Sequence, residues 1–137
     1  MKIKYWLLKS EPNAWSWENQ VKEGPSMWDG VRNYQARNNL KKMKKNDLCF
    51  FYHSVIEKSI VGIVKVVREH YPDPTDKTGR FVVVDVKAIK KLKKPVSLDQ
   101  IKTNSRLQNI ALIKQSRLSV MPIKKNEWNE IIKLSSI

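Results

Sequence analysis

The stretch Arg80–Ile89, RFVVVDVKAI, decides the fold. In an extended chain Val82, Val84, Val86 and Ala88 fall on one face, and Phe81, Val83, Asp85, Lys87 and Ile89 on the other. Its first half is apolar on both faces, as in a strand covered on both sides. A second run of this kind is SIVGIVKVV, Ser59–Val67. NDLCFFYHS, Asn46–Ser54, reads as a strand entered by a turn at Asn46–Asp47. Ile3–Leu8 reads as the strand that starts the sheet, and RLSVMPI, Arg117–Ile123, as a short late one. Between the two long runs, EHYPDPTDKTG, Glu69–Gly79, is rich in turn residues and reads as a loop.

Short helices separate these strands. Ser16 reads as an N-cap for WENQVKEG, ending at Gly24–Pro25, and Asn33 as an N-cap for Tyr34 to about Met43. Ser97 and Gln100 form a capping-box pattern in SLDQIK. In NEWNEIIKL, Trp128, Ile131 and Ile132 stand at helical spacing. β-runs with little polar alternation, joined by short helices, imply an α+β class: a small mixed β-barrel, closed or nearly so, with short α-helices on the outside.

With 137 residues the chain makes one ordinary domain, large enough to bury a core. Its single cysteine, Cys49, rules out an internal disulfide and a multi-cysteine zinc site. The apolar run at the N-terminus is broken by Lys4 and Lys9, which reads neither as a signal peptide nor as a membrane span. The expectation is a soluble cytoplasmic protein with no membrane partner, nucleoid-associated or, in a eukaryote, nuclear. Net charge is +14, from 27 Lys and Arg against 13 acids, which favours a polyanion partner, chiefly nucleic acid. The competing reading is that the clusters LKKMKKND and KAIKKLKKP are only solvated faces.

The chemistry concentrates in four places. WDGVRNYQARN, Trp28–Asn38, gathers an indole, a carboxylate, two guanidiniums, three carboxamides and a phenol. On a helix from Tyr34, residues Ala36, Leu40 and Met43 share a core stripe, and Tyr34, Arg37, Asn38 and Lys41 share another. Such a set suits a planar polar ligand, stacked on aromatic rings and read at its edge by amides. The plainer reading is that Trp28 is core, Arg32 pairs with Asp29, and Asn33 only caps. KSEP, Lys9–Pro12, ends the first strand with a cation, a hydroxyl and a carboxylate. FFYHS, Phe50–Ser54, ends another, and RLSV, Arg117–Val120, adds an arginine and a serine. The two histidines and one cysteine lack metal-ligand spacing, and four glycines furnish no phosphate-cradling loop. Neither a metal, a cofactor nor a recognised catalytic motif is expected.

Taken in order, YWLLKSEP, WDGVRNYQARN, DLCFFYHS, GIVKVV, VDV, PVSL and RLSV resemble the EVE domain family from Tyr5 to about Leu134. The resemblance implies a PUA-like fold, with kinship to YTH and ASCH domains. It also implies a non-enzymatic module that binds DNA or RNA and reads a modified base, 5-methylcytosine or a similar one, held flipped in an aromatic and polar pocket. Carried over by motif, that pocket comprises Lys9, Ser10, Trp28, Val31, Arg32, Asn33, Tyr34, Arg37, Tyr52, His53, Ser54, Arg117, Leu118 and Ser119. Lys41, Lys44 and Lys45 would hold the nucleic-acid backbone. Two features depart from the family pattern: only Asp76–Gly79 separates the YPDPT motif from the next strand, and that strand opens with Phe81 where Trp is common. Two rival readings remain. One is an amidohydrolase acting on an acylated nucleoside, as in some ASCH relatives, drawing on Lys9, Ser10 and Glu11. The other is a small nucleoside binder for which the charge is incidental.

Overall fold

The computed structural model describes residues 2–136. Within them six strands form one mixed sheet: β1 (Tyr5–Ser10), β2 (Ser26–Met27), β3 (Leu48–His53), β4 (Ser59–Pro72), β5 (Val82–Ser97) and β6 (Val120–Ile123). Their order is β2-β5-β4-β3-β1-β6. β1 and β3 run parallel, and all other neighbours are antiparallel. Among the described residues five α-helices surround the sheet: α1 (Trp17–Glu23), α2 (Tyr34–Lys42), α3 (Leu98–Thr103), α4 (Ala111–Lys114) and α5 (Lys125–Ser135). No helix among the described residues is long and apolar enough to cross a membrane.

The sheet is sandwiched because consecutive residues of β3 point to opposite faces. Phe50 and Phe51 are both fully buried. Phe50 stacks on Trp128 of α5 at 3.7 Å, and Trp128 also leans on Tyr5 at 4.6 Å. Phe51 meets Trp17 of α1 and Trp28 edge-on, at 5.4 and 5.5 Å. Each such ring contributes about 1.5–3 kcal/mol by burial. α1 lies tightly on β4 because position 62 is glycine: a Cβ on Gly62 would fall inside the Trp17 indole.

The sheet is open, which corrects the expected barrel. β2 pairs with β5 only over Ser26 and Met27, too short a strand to bridge to β6. α2 covers β6 instead, where Asn39 Nδ2 donates to Val120 O at 2.7 Å. Register shifts along β4 and β5 bend that pair, and residues of β1 and β5, three places apart in the sheet, line one hollow. The result is a curled sheet with two free edges.

The caps at Ser16, Asn33 and Ser97 are present as read, each side chain accepting a backbone N–H. Other boundaries differ. β1 begins at Tyr5 and reaches Ser10. Glu69–Pro72 is not loop but the end of β4, and β6 begins at Val120, which leaves Arg117–Ser119 outside it. The two-residue β2 and the short α4 carry too little periodicity to be read from sequence.

Candidate functional site

The C-terminal end of β1 opens into a hollow of about 770 Å³. Lys9, Ser10 and Glu11 form one wall, Trp15 a second, and Ser26–Gly30 a third. Tyr71 and Asp85, from the far strands, complete it. Beside it lies a smaller hollow of about 350 Å³, lined by Asn33, Gln35 and Lys114–Leu118. The two meet at Lys9, whose stem lines the first while its Nζ donates to Ser116 O of the second at 2.7 Å. Burial holds the Lys9 ammonium below the ordinary lysine value. Lys9 Nζ also lies 5.9 Å from the Tyr52 ring, whose phenol is pushed up to about 12 by burial and then by the charge of Asp99.

The residues expected to share one slot are thus divided. Lys9, Ser10 and Trp28 line the larger hollow, and Asn33, Arg117 and Leu118 the smaller. Ser10 Oγ donates to Trp15 O. Ser119 accepts the Lys9 N–H through its carbonyl at 2.9 Å, and Ser54 donates its N–H to Ser10 O at 2.9 Å. Val31 is core. His53 is buried, and its Nε2 accepts the Trp17 N–H at the start of α1 at 3.1 Å. That bond leaves the proton of a neutral ring on Nδ1, 3.7 Å from Glu57 Oε1. His53 therefore positions a helix.

Arg32 does not pair with Asp29. Its Nη1 donates to Asp73 Oδ2 at 2.9 Å and its Nη2 to Thr75 Oγ1 at 3.0 Å. Asp73 also accepts the N–H of Gly30 at 3.1 Å and of Thr75 at 2.7 Å. Gly30 has φ +79°, a left-handed turn that glycine enters without strain. Burial alone would raise the Asp73 carboxyl, but hydrogen bonds from Thr75, Arg32 and Gly30 outweigh it and hold the group below the usual range. Asp73 thereby clamps the WDGVR turn to the end of β4. Beyond it runs a surface ladder: Arg32 over Phe81 at 5.4 Å, Phe81 stacked on Tyr34 at 5.3 Å, and Arg37 over Tyr34 at 4.8 Å. Tyr34 is half exposed. Lys41, Lys44 and Lys45 are exposed at the other end of α2, about 13 Å along a helix of nine residues.

Trp15, Tyr71 and Asp85 are among the lining residues that escape a reading of the sequence. Trp15 follows KSEP by three residues, and that proximity is the available signal. Tyr71 and Asp85 reach the hollow only because the sheet curls. Among the described residues no three of His, Cys, Asp and Glu converge as metal ligands.

A model of the EVE domain matches residues 4–134. Thymocyte nuclear protein 1 of Gallus gallus is 38% identical over 165 aligned positions, covering 95% of this chain and 68% of that protein. Rpa0253 from Rhodopseudomonas palustris superposes with a TM-score of 0.93 at 48% identity, over 98% of this chain and 94% of that one. Human THYN1 protein, solved in complex with 5-methylcytosine-containing DNA, superposes with a TM-score of 0.85 at 31% identity, over 98% of each chain.

Proposed function

The chain belongs to the EVE domain family, and on that footing we propose that it is a non-enzymatic, DNA-binding reader of a modified base. The base, of the 5-methylcytosine type, leaves its stack and enters the larger hollow, while the basic surface holds the phosphates. The observation that carries this reading is the hollow itself. Trp15 and Tyr71 are part-exposed aromatics at its wall, Trp28 lines it as well, and Ser10, Asp29 and Asp85 bring polar side chains to the same lining. About 770 Å³ is ample for one nucleobase. The DNA complex of the human neighbour supports the partner class.

The amidohydrolase reading gains nothing from the geometry. Ser10 Oγ gives its proton to Trp15 O and Lys9 Nζ donates to Ser116 O, so the hydroxyl has no hydrogen bond to a base in KSEP.

The test is titration of oligonucleotides carrying one 5-methylcytosine or one cytosine in the same context, at fixed salt. The wild-type chain should prefer the modified oligonucleotide. Trp15→Ala should weaken that complex by about 1–3 kcal/mol, the usual worth of a base–aromatic stack. Equal affinity for both oligonucleotides, together with an unaffected Trp15→Ala, would sink the proposal.

A further inference from the structure

Resting on that reading, we infer that the larger hollow recognises an exocyclic amino group: it accepts a cytosine- or adenine-type base and rejects the keto counterpart. The first argument is a contrast of charge. The chain carries +14, yet among the described residues the hollow is walled by Glu11, Glu23, Asp29 and Asp85 against one lining cation, Lys9. A phosphate inside would face four carboxylates. The phosphodiester is therefore kept on the basic exterior, and the uncharged part of a nucleotide is what the hollow suits.

The second argument is the orientation of Asp85. Tyr71 donates its phenol hydrogen to Asp85 Oδ1, and the Arg68 guanidinium lies over the Tyr71 ring, 3.8 Å from its centroid, holding the phenol in place. Burial and the Asp85 carboxylate push the Tyr71 phenol up, so it keeps the hydrogen it donates. Asp85 Oδ2 has no protein partner among the described hydrogen bonds. It is an acceptor with nothing to donate. The third argument is independent of the acids. Trp28 is only 7% exposed and lines the hollow, and its Nε1–H, a donor only, likewise has no partner among the described hydrogen bonds. Among the described residues the one buried side-chain polar atom without a partner is His53 Nδ1, so the Trp28 N–H is open to solvent and within reach of an acceptor on a ligand in the hollow.

A fixed acceptor and an unpaired donor match an edge that offers an amine beside a ring nitrogen acceptor. Cytosine and adenine have that edge. Thymine and hypoxanthine reverse it, so their keto oxygen would face the Asp85 carboxylate, acceptor against acceptor.

The pairs to compare are 5-methylcytosine with thymine, which share the methyl group, and adenine with hypoxanthine. Each base is placed at the same single position of one fluorescent oligonucleotide at fixed salt. In the pair whose affinity responds to Trp15→Ala, the amino member should bind roughly tenfold tighter or more. Asp85→Asn should collapse that ratio, since a carboxamide also offers a donor, while Glu18→Gln, at an exposed acid of α1 outside the hollow, should leave it. If the keto member binds equally well while Trp15→Ala weakens both, the hollow takes a base without reading its amine; this inference falls and the reader proposal stands. If no base change and no Trp15→Ala effect is seen, the reader proposal falls with it. A folded Asp85→Asn that keeps the full ratio removes Asp85 as the reader. The wild-type ratio decides the matter even where that variant does not fold.

Discussion

Arg32 shows how one side chain can be chemically suited to a ligand and still be spent on the fold. Its guanidinium is 42% exposed, but its partner Asp73 has a fully buried carboxylate. Removing Arg32 strips one donor from a buried acceptor that Thr75 and Gly30 still serve. Screening at the exposed guanidinium limits the effect, so Arg32→Ala should lower stability by about 1–2 kcal/mol. A urea midpoint moved by that amount with an unchanged slope is the expected result, and Arg32→Lys, which keeps charge but not the fork to Thr75, should fall between. An unmoved midpoint would return Arg32 to the ligand. The residue types of WDGVR did not reveal this assignment, because the decisive partner, Asp73, lies 41 positions away.

Elements were legible where the signal is local. The N-cap at Asn33 and the stripe of Ala36, Leu40 and Met43 together specify α2, and all three apolar residues are fully buried. The connection after β4 was less so, because its turn residues serve a hydrogen-bond network that sequence spacing does not display. Asp76 gathers the hydroxyl and N–H of Thr78 and the N–H groups of Phe81 and Arg80, which hold its carboxyl at about 2. An aspartate in the unfolded chain titrates at about 3.9. The folded value is the lower, so this contribution is complete above the unfolded value and is lost as pH falls through the folded one. The amide resonances of Arg80 and Phe81 should therefore shift with a midpoint near 2, the value Asp76 holds. A midpoint near the unfolded value would mean that the network is not formed in solution. Asp76→Asn should abolish the titration, and with it some order at Phe81, on which Tyr34 stacks.

At the scale of the molecule, grip and recognition separate by charge. The hollow was only partly legible because its walls come from residues 9–15, 23–30, 71 and 85, joined by the curl of the sheet, whereas the +14 charge is legible at a glance. Lys41, Lys44 and Lys45 form no salt bridge among the described residues. The backbone N–H groups of Lys44 and Lys45 are held by Asp47 and Glu69, which fixes the turn and leaves both ammonium groups in solvent. Ammonium groups placed this way neutralise phosphates and carry little sequence information. Replacing Lys41, Lys44 and Lys45 by Gln should weaken modified and unmodified oligonucleotides by the same factor. The slope of log affinity against log salt should become shallower by roughly 0.7–0.9 for each phosphate that is no longer neutralised. Trp15→Ala should do the reverse, reducing the preference for the modified base and leaving the slope in place. Asn33 is unsuitable for this comparison, since its side chain caps α2 through the Ala36 N–H and its loss would cost about 1 kcal/mol of stability. Both variants are to be measured against paired oligonucleotides at several salt concentrations. If the lysine variant loses selectivity while the tryptophan variant flattens the slope, the surface reads the base and the hollow grips the backbone, opposite to the division drawn from the charges.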